Sequence, residues 1–330
     1  MNEPLESSSR RDWRTQRDLA LVALEKETRP IVRAEAAELL CDLAFDVPRE
    51  VLPEFEPAVV RLVTDADPQV RCAGLALGAE VLQTEEAKDL LIRSVADPIP
   101  RVRMEAVGRL ADLALPDTRG VFASALTDSV LGVRFEAARG MVSLKHSAGL
   151  DVLLAALDET ELRFRAAAAL AQLGDRAAVP KLRKVFQKWL MPAFDRTQLA
   201  GALAQLGEPI GYEHLFGRAG KRWSLDRAMA IELLGEVKAP GAMARLLESL
   251  NDPDDPCRGA AGRGLGRLGD ATIEPELVTV LGNGTLTDDD RLDVAEGLLR
   301  LGTQSARTHV ASLRFDSADA RAELAQMLIP

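Results

Sequence analysis

Asp97-Pro-Ile-Pro-Arg-Val-Arg-Met-Glu-Ala-Val-Gly-Arg-Leu-Ala-Asp-Leu113 decides the fold, because the chain repeats its plan ten times. With Arg103 as origin, small or apolar residues follow at +3, +4, +7 and +10 (Ala106, Val107, Leu110, Leu113). That spacing is the apolar stripe of an amphipathic helix. The same template fits Arg33, Arg71, Arg134, Arg163, Arg196, Arg227, Arg258, Arg291 and Arg321, and successive arginines stand 38, 32, 31, 29, 33, 31, 31, 33 and 30 residues apart. From Arg33 to Arg291 position +10 is always Leu or Val. Position +11 is glycine in four repeats (Gly174, Gly207, Gly269, Gly302), where a helix closes through the left-handed region. A period near 32 held this long predicts a repeat protein.

An acid precedes most of these arginines. It stands six residues before at Glu27, Asp65, Asp97, Asp128 and Asp252, and five before at Asp158 and Asp316. A second short apolar stripe lies upstream of the acid, as in 152–157 and 244–250. Each repeat therefore reads as helix A, an acidic turn and helix B. In this the sequence resembles the HEAT-repeat family, whose units carry an aspartate in the inter-helix turn and an arginine early in helix B. Its short period and D-x5-R-x2-A spacing look most like the bacterial HEAT-like repeats named after phycobilisome lyases. The resemblance spans roughly residues 12–328. It implies an all-α, right-handed α-solenoid of about ten helix pairs with helix B on the concave side, and it says little of function.

A solenoid grows by stacking, so 330 residues need not split into two domains. We expect a disordered tail over 1–11 and one solenoid over 12–330, with Asp12 capping the first helix and Trp13 covering the open end of the stack. The second repeat is the longest, with an extended connection at 46–53. Hydrophobic residues make up 47% of the chain, yet there are only nine Phe, three Trp and one Tyr. Leu, Ala and Val must build the core. No window of 18 uninterrupted apolar residues occurs, so no membrane span is expected. The polar start carries no signal region, so Asn283-Gly-Thr285 reads as an accidental glycosylation sequon. Cys41, Cys72 and Cys257 lack metal-ligand spacing and read as reduced thiols of a cytoplasmic protein.

The recurring acid and arginine have a physical reason. An aspartate in the turn accepts from the free N–H groups that open helix B. One turn further on, the guanidinium presents a planar fork to carboxylates of its own or the adjacent repeat. A structural ladder is expected through Asp65, Arg71, Asp97, Arg103, Asp128, Arg134, Asp158, Arg163, Asp252 and Arg258. Gly264-Leu-Gly266-Arg-Leu-Gly269 matches G-x-G-x-x-G, but it closes a helix B instead of following a strand. It reads as a small packing face and a cap. Four glycines over 259–266 still cost a helix about 1 kcal/mol each, and sequence offers no reason for them. His146, His214 and His309 sit in different repeats and read as surface residues. No P-loop, H-E-x-x-H or G-x-S-x-G is present, and no catalytic, metal or cofactor site is expected.

Charge is distributed unevenly. Residues 1–100 hold 20 acids and 12 bases, 101–250 hold 17 and 21, and 251–330 hold 14 and 8. The basic middle contains the two least regular repeats. Repeat six has an insertion at 187–195 and no acid at −6, and repeat seven has a short helix A before Gly217-Arg-Ala-Gly-Lys-Arg-Trp223. Departures from a repeat are where function concentrates. Partner-binding candidates are therefore Lys188, Trp189, Arg218, Lys221, Arg222 and Trp223, joined by the outward helix-B positions Arg139, Arg165, Gln172, Gln198 and Gln205. The helix-B face runs from acidic through neutral to basic at Arg263 and Arg267.

Three functions compete. The first is a non-enzymatic scaffold, monomeric alone, that holds another protein with an acidic surface, or a peptide segment of it, along the concave helix-B face and the irregular repeats six and seven. The second, implied by the resemblance, is a chromophore or substrate chaperone like the phycobilin lyases, although aromatic residues are scarce. The third is a HEAT-like DNA glycosylase or other nucleic-acid binder. A net charge of −10 opposes contact with a polyanion.

Overall fold

The computed structural model describes residues 9–328, and among them it shows twenty α-helices and no strand. They form ten pairs. The first members are α1 (Ser9–Lys26), α3 (Glu56–Val63), α5 (Thr84–Ser94), α7 (Arg119–Ala125), α9 (Leu150–Ala156), α11 (Val179–Phe186), α13 (Pro209–Ala219), α15 (Ala242–Asn251), α17 (Glu274–Gly282) and α19 (Gln304–Ser312). The second members are α2 (Pro30–Asp46), α4 (Pro68–Val81), α6 (Pro100–Leu113), α8 (Leu131–Ser143), α10 (Thr160–Leu173), α12 (Ala193–Gln205), α14 (Arg227–Glu236), α16 (Arg258–Leu268), α18 (Asp288–Arg300) and α20 (Ala318–Met327). Every second helix carries one of the ten repeat arginines. The fold is an all-α solenoid of helix pairs. Its contacts divide into two compact units, one reaching Leu153 and the other starting at Leu154.

Local chemistry sets the helix ends. Proline, which needs no N–H partner in a first turn, opens α2, α4 and α6. Left-handed residues recur at position +11. Gly174, Gly207, Gly269 and Gly302 occupy it, and so do Ala114, Lys145 and Lys238, with φ between 49° and 56°. Repeat geometry thus imposes the left-handed closure even where the residue type resists it. In α6 the stripe residues Ala106, Val107 and Leu110 are fully buried and Leu113 partly so. The first helices answer with Phe122, Leu153, Leu182, Leu215, Leu246 and Leu277, all fully buried.

Several expectations change. Helix α1 starts at Ser9, so residues 9–11 of the expected tail are helical, and the remainder of that tail lies outside the described residues. Trp13 stacks on Phe55 of the next repeat at 5.7 Å, with the Arg14 and Arg17 guanidinium groups over its ring. The connection after α2 is wound into a 3-10 helix, Arg49–Phe55, because Leu52 and Phe55 turn inward there. Helix α13 is not short. Its eleven residues exceed the seven of α7 and of α9.

The glycines of α16 are explained by its neighbours. A Cβ at Gly266 would overlap the Gly297 backbone of α18, and one at Gly235 of α14 would overlap the Gly264 carbonyl. At Gly262 it would meet the Val294 Cα at 2.9 Å. The three second helices α14, α16 and α18 approach backbone to backbone, and glycine on the contacting faces permits it. Close packing recovers what helix propensity loses.

Candidate functional site

The repeat arginines bond backward and forward at once. Arg71 donates to the Asp65 and Ala66 carbonyls of its own turn, and bidentately to Asp97 of the next repeat at 2.9 and 3.0 Å. Arg103 repeats this with Asp97 and Pro98 behind it and Asp128 ahead at 2.8 and 3.0 Å. Arg33 reaches Asp65 at 2.7 Å. Arg134 holds the Asp128 and Ser129 carbonyls. The turn acids accept from the N–H two residues on, at Asp67, Ile99 and Val130. They therefore brace the turn just ahead of helix B and do not cap the helix itself. Hydrogen bonds from Arg103 and Val130 hold the Asp128 carboxyl below its usual range despite partial burial.

From repeat five onward the acid moves. Asp158 pairs with Lys181 and Lys188, not with an arginine of the ladder. Arg163 turns to Asp195 at 3.0 Å, which directly precedes Arg196. Asp252 pairs with Arg222 at 3.0 Å, and Arg258 reaches Thr285 and the Leu250 carbonyl instead of a turn carboxylate. The buried pair of this region is Arg227 with Asp255, bidentate at 2.5 Å. The longer turns of these repeats bring other carboxylates into reach of the fork.

The two irregular turns belong to successive repeats of the second unit, and Thr197 of α12 donates to Asp226 in the second of them. Trp189, between α11 and α12, is 84% exposed, and Leu190 beside it 75%. Trp223 and Leu225, between α13 and α14, are 83% and 86% exposed. Neither tryptophan fills a gap in the core. Both turns are nevertheless tied down. Arg196 donates to the Lys188 and Trp189 carbonyls at 2.9 and 3.2 Å. Asp226, 1% exposed, accepts from Arg218 at 2.8 and 2.9 Å, from Ser224 at 2.6 Å and from Thr197 at 2.5 Å. Burial pushes the Asp226 carboxyl up, but hydrogen bonds from Arg218, Ser224 and Thr197 outweigh it and hold the group far below the usual range.

His214, read from sequence as a surface residue, joins this hub. Its Nε2 lies 3.2 Å from the Thr197 hydroxyl, and its ring meets Phe186 edge-on at 5.3 Å. Burial, and then the charge of Arg218, lower its pKa. The arrangement is not a nucleophile with a base. Thr197 is sealed from solvent, and the carboxylate engages the hydroxyl instead of orienting the imidazole. It is a bracket for the Trp223 turn.

The remaining candidates scatter. Arg218 is spent on Asp226, and Arg222 on Asp252 and the Asp254 carbonyl, while Lys221 is exposed. Arg139 is held by Glu136 at 2.8 Å and Asp112 at 2.6 Å. Arg165, Gln172 and Gln205 are exposed on second helices. Gln198 is buried, because position +2 of α12 is covered by its neighbours, and it cannot contact a partner. The basic end of the helix-B face is also neutralised. Arg263 binds Glu232 and Asp293, and Arg267 binds Glu232 at 2.8 Å. In the first unit a polar pocket of about 240 Å³ is lined by Glu38, Asp42, Glu105, Arg101, Gln69, Cys41 and Cys72 among others. No grouping of His, Cys, Asp and Glu among the described residues suits a metal ion, and no helix there is long and apolar enough to cross a membrane.

What sequence reasoning missed was Leu190 and Leu225. Each lies one or two residues past a tryptophan already singled out, and two large apolar residues in a short polar turn were the available signal.

Comparison with known proteins agrees with this architecture. The family model for HEAT repeats matches residues 88–171 and 220–299, and that for the PBS lyase HEAT-like repeat matches 162–188. No curated protein sequence matches the chain. Among solved structures, an engineered protein is 18% identical with a TM-score of 0.41, covering 95% of this chain and 97% of that one. The complex of CpcE and CpcF of phycocyanin lyase from Nostoc sp. PCC7120 is 17% identical with a TM-score of 0.48, covering 78% and 94%. Human deoxyhypusine hydroxylase is 19% identical with a TM-score of 0.32, covering 74% and 96%. With ten helix pairs in one arginine register and family models matching 88–188 and 220–299 between them, the chain belongs to the HEAT-repeat family.

Proposed function

We propose that the protein is a non-enzymatic scaffold that docks a protein partner on the turn edge of repeats six and seven. The observation that carries this is four large apolar side chains, Trp189, Leu190, Trp223 and Leu225, at 75–86% exposure on two adjacent, internally braced turns. Exposing that much apolar surface is unfavourable in isolation, and tryptophan is the residue type most often found as an interface anchor. Bracing by Arg196 and Asp226 lowers the ordering cost that a loop pays on binding.

Lys181, Lys188, Arg218 and Arg222 are engaged by Asp158, Asp226 and Asp252, which leaves the exposed Lys184 and Lys221 to present the charge of the basic strip to an acidic partner. Contact here is apolar first. A photo-reactive amino acid placed at position 190 or 225 should cross-link the native partner in cells, and one at the exposed position 60 of the first unit should not. Equal labelling from all three positions, or none from 190 and 225, would sink this reading.

A further inference from the structure

One register position holds an arginine late in the chain and an alanine early in it. In repeats seven to nine, Glu232 stands at +5 of α14, Arg263 at +5 of α16 and Asp293 at +2 of α18. The Arg263 guanidinium bridges the two acids, donating to Glu232 at 3.0 and 2.6 Å and to Asp293 on its other side. Arg139, at +5 of α8, likewise joins Glu136 of its own helix to Asp112 of α6. Repeats one to three carry acids in the places of the first set, Glu38 at +5 of α2 and Glu105 at +2 of α6. Position +5 of α4, between them, is Ala76.

The polar pocket of about 240 Å³ in the first unit is lined by all three of these residues. We propose that it binds a guanidinium group on an aliphatic stem, brought by a ligand to the place where α16 uses its own arginine. The site rests on none of the residues of the docking edge.

Its walls are already positioned. Glu38 accepts from Gln69 at 2.9 Å and Glu105 from Arg109 at 2.8 Å, each through Oε1. Fixing both carboxylates beforehand lowers the ordering cost of binding. Asp42, one helical turn after Glu38, is exposed and adds a third acceptor. The less exposed lining residues, Cys41, Cys72, Ala73 and Ala76, are small and apolar, and the Cys41 thiol is turned to the Ala73 carbonyl at 3.4 Å. An aliphatic stem can lie on them while its charged head stays among the acids. Three carboxylates outnumber the one lining guanidinium, Arg101, so the pocket favours a cation and leaves Arg101 to meet a carbonyl of the ligand. A planar five-donor fork serves acids on two helices at once, whereas an ammonium is a compact point charge.

The test titrates the full chain at low salt, by calorimetry, with N-acetyl-arginine amide and with a short peptide whose only charge is one central arginine. Saturable binding with a Kd on the order of 0.1–1 mM is expected. The citrulline counterparts, which keep the shape and lose the charge, should not bind. Glu38→Gln and Glu105→Gln should each weaken binding at least about tenfold, with Glu86→Gln of α5, outside the pocket, neutral. Ala76→Arg should abolish it without lowering the melting temperature, because the bridge is then internal. No saturation by either probe, citrulline binding as tightly as arginine, or binding that both glutamine variants of the pocket retain overturns the proposal. Tighter binding of the peptide than of the amide assigns the guanidinium to a protein segment, and equal binding assigns it to a small molecule.

Discussion

Arg227 and Asp255 form the most buried ion pair among the described residues, at 3% and 6% side-chain exposure. Arg227 also donates to the Ala219 carbonyl and to Ser249, and its removal leaves the desolvated Asp255 carboxylate without its bidentate partner. We expect Arg227→Ala to cost about 3–5 kcal/mol in urea denaturation. Arg103→Ala, whose partner Asp128 is wetter, should cost only about 1–3 kcal/mol. Equal losses would show that burial does not grade the ladder. Asp293 behaves in the opposite way. Burial raises its carboxyl to about 6, and Asp290, Glu232 and Glu296 add to the rise against the pull of Arg263. A folded-state pKa above the unfolded value means the folded protein binds the proton more tightly. Stability from this group therefore grows as pH falls through about 6 toward the unfolded carboxylate range near 4. The urea midpoint should rise between pH 7.5 and 5, and Asp293→Asn should flatten that slope. An unchanged slope would contradict the assignment. Sequence showed which arginines recur, because one register position was filled ten times. It did not show where each fork would land, since Asp195, Asp226 and Asp255 lie outside the −6 position and depend on the length of each turn.

Helix α16 separates propensity from packing. An added methyl at Gly266 meets the Gly297 backbone, which cannot step aside as a flexible side chain would. Gly266→Ala should therefore destabilise by about 1–3 kcal/mol although alanine is the better helix former. Gly217, inside α13 with open space around it, should do the reverse. Gly217→Ala is expected to stabilise by about 0.5–1 kcal/mol. Matching melts for the two variants would remove the close-approach account. Helix existence was legible from the stripe spacing alone. The reason for four glycines was not, because it lies in α14 and α18, thirty residues away in either direction. The length of α13 was misread for a related reason. Gly211 and Gly217 look like breakers, yet Gly211 sits against the α12 backbone, where no side chain fits.

At the scale of the molecule, ten helix pairs in two compact units follow from a register that is written almost openly in the sequence. The candidate surface was half legible. Loss of pattern in repeats six and seven marked Trp189 and Trp223, but the local excess of lysine and arginine pointed to an acidic partner. Part of that excess is neutralised where Lys188, Arg218 and Arg222 meet carboxylates, while Lys184 and Lys221 stay exposed. What remains at the edge is apolar area on braced turns, with the Arg222 guanidinium over the Trp223 ring at 5.8 Å, and the account stands on both indoles being exposed rather than part of the core. The most direct measurement takes the Trp189→Ala/Trp223→Ala double variant and records thermal melting and capture of the native partner on one preparation. The account predicts a melting temperature within about 2 °C of the parent and loss of capture. A melting temperature lowered by more than about 5 °C, as removal of buried indoles would cause, or capture that persists, would contradict it.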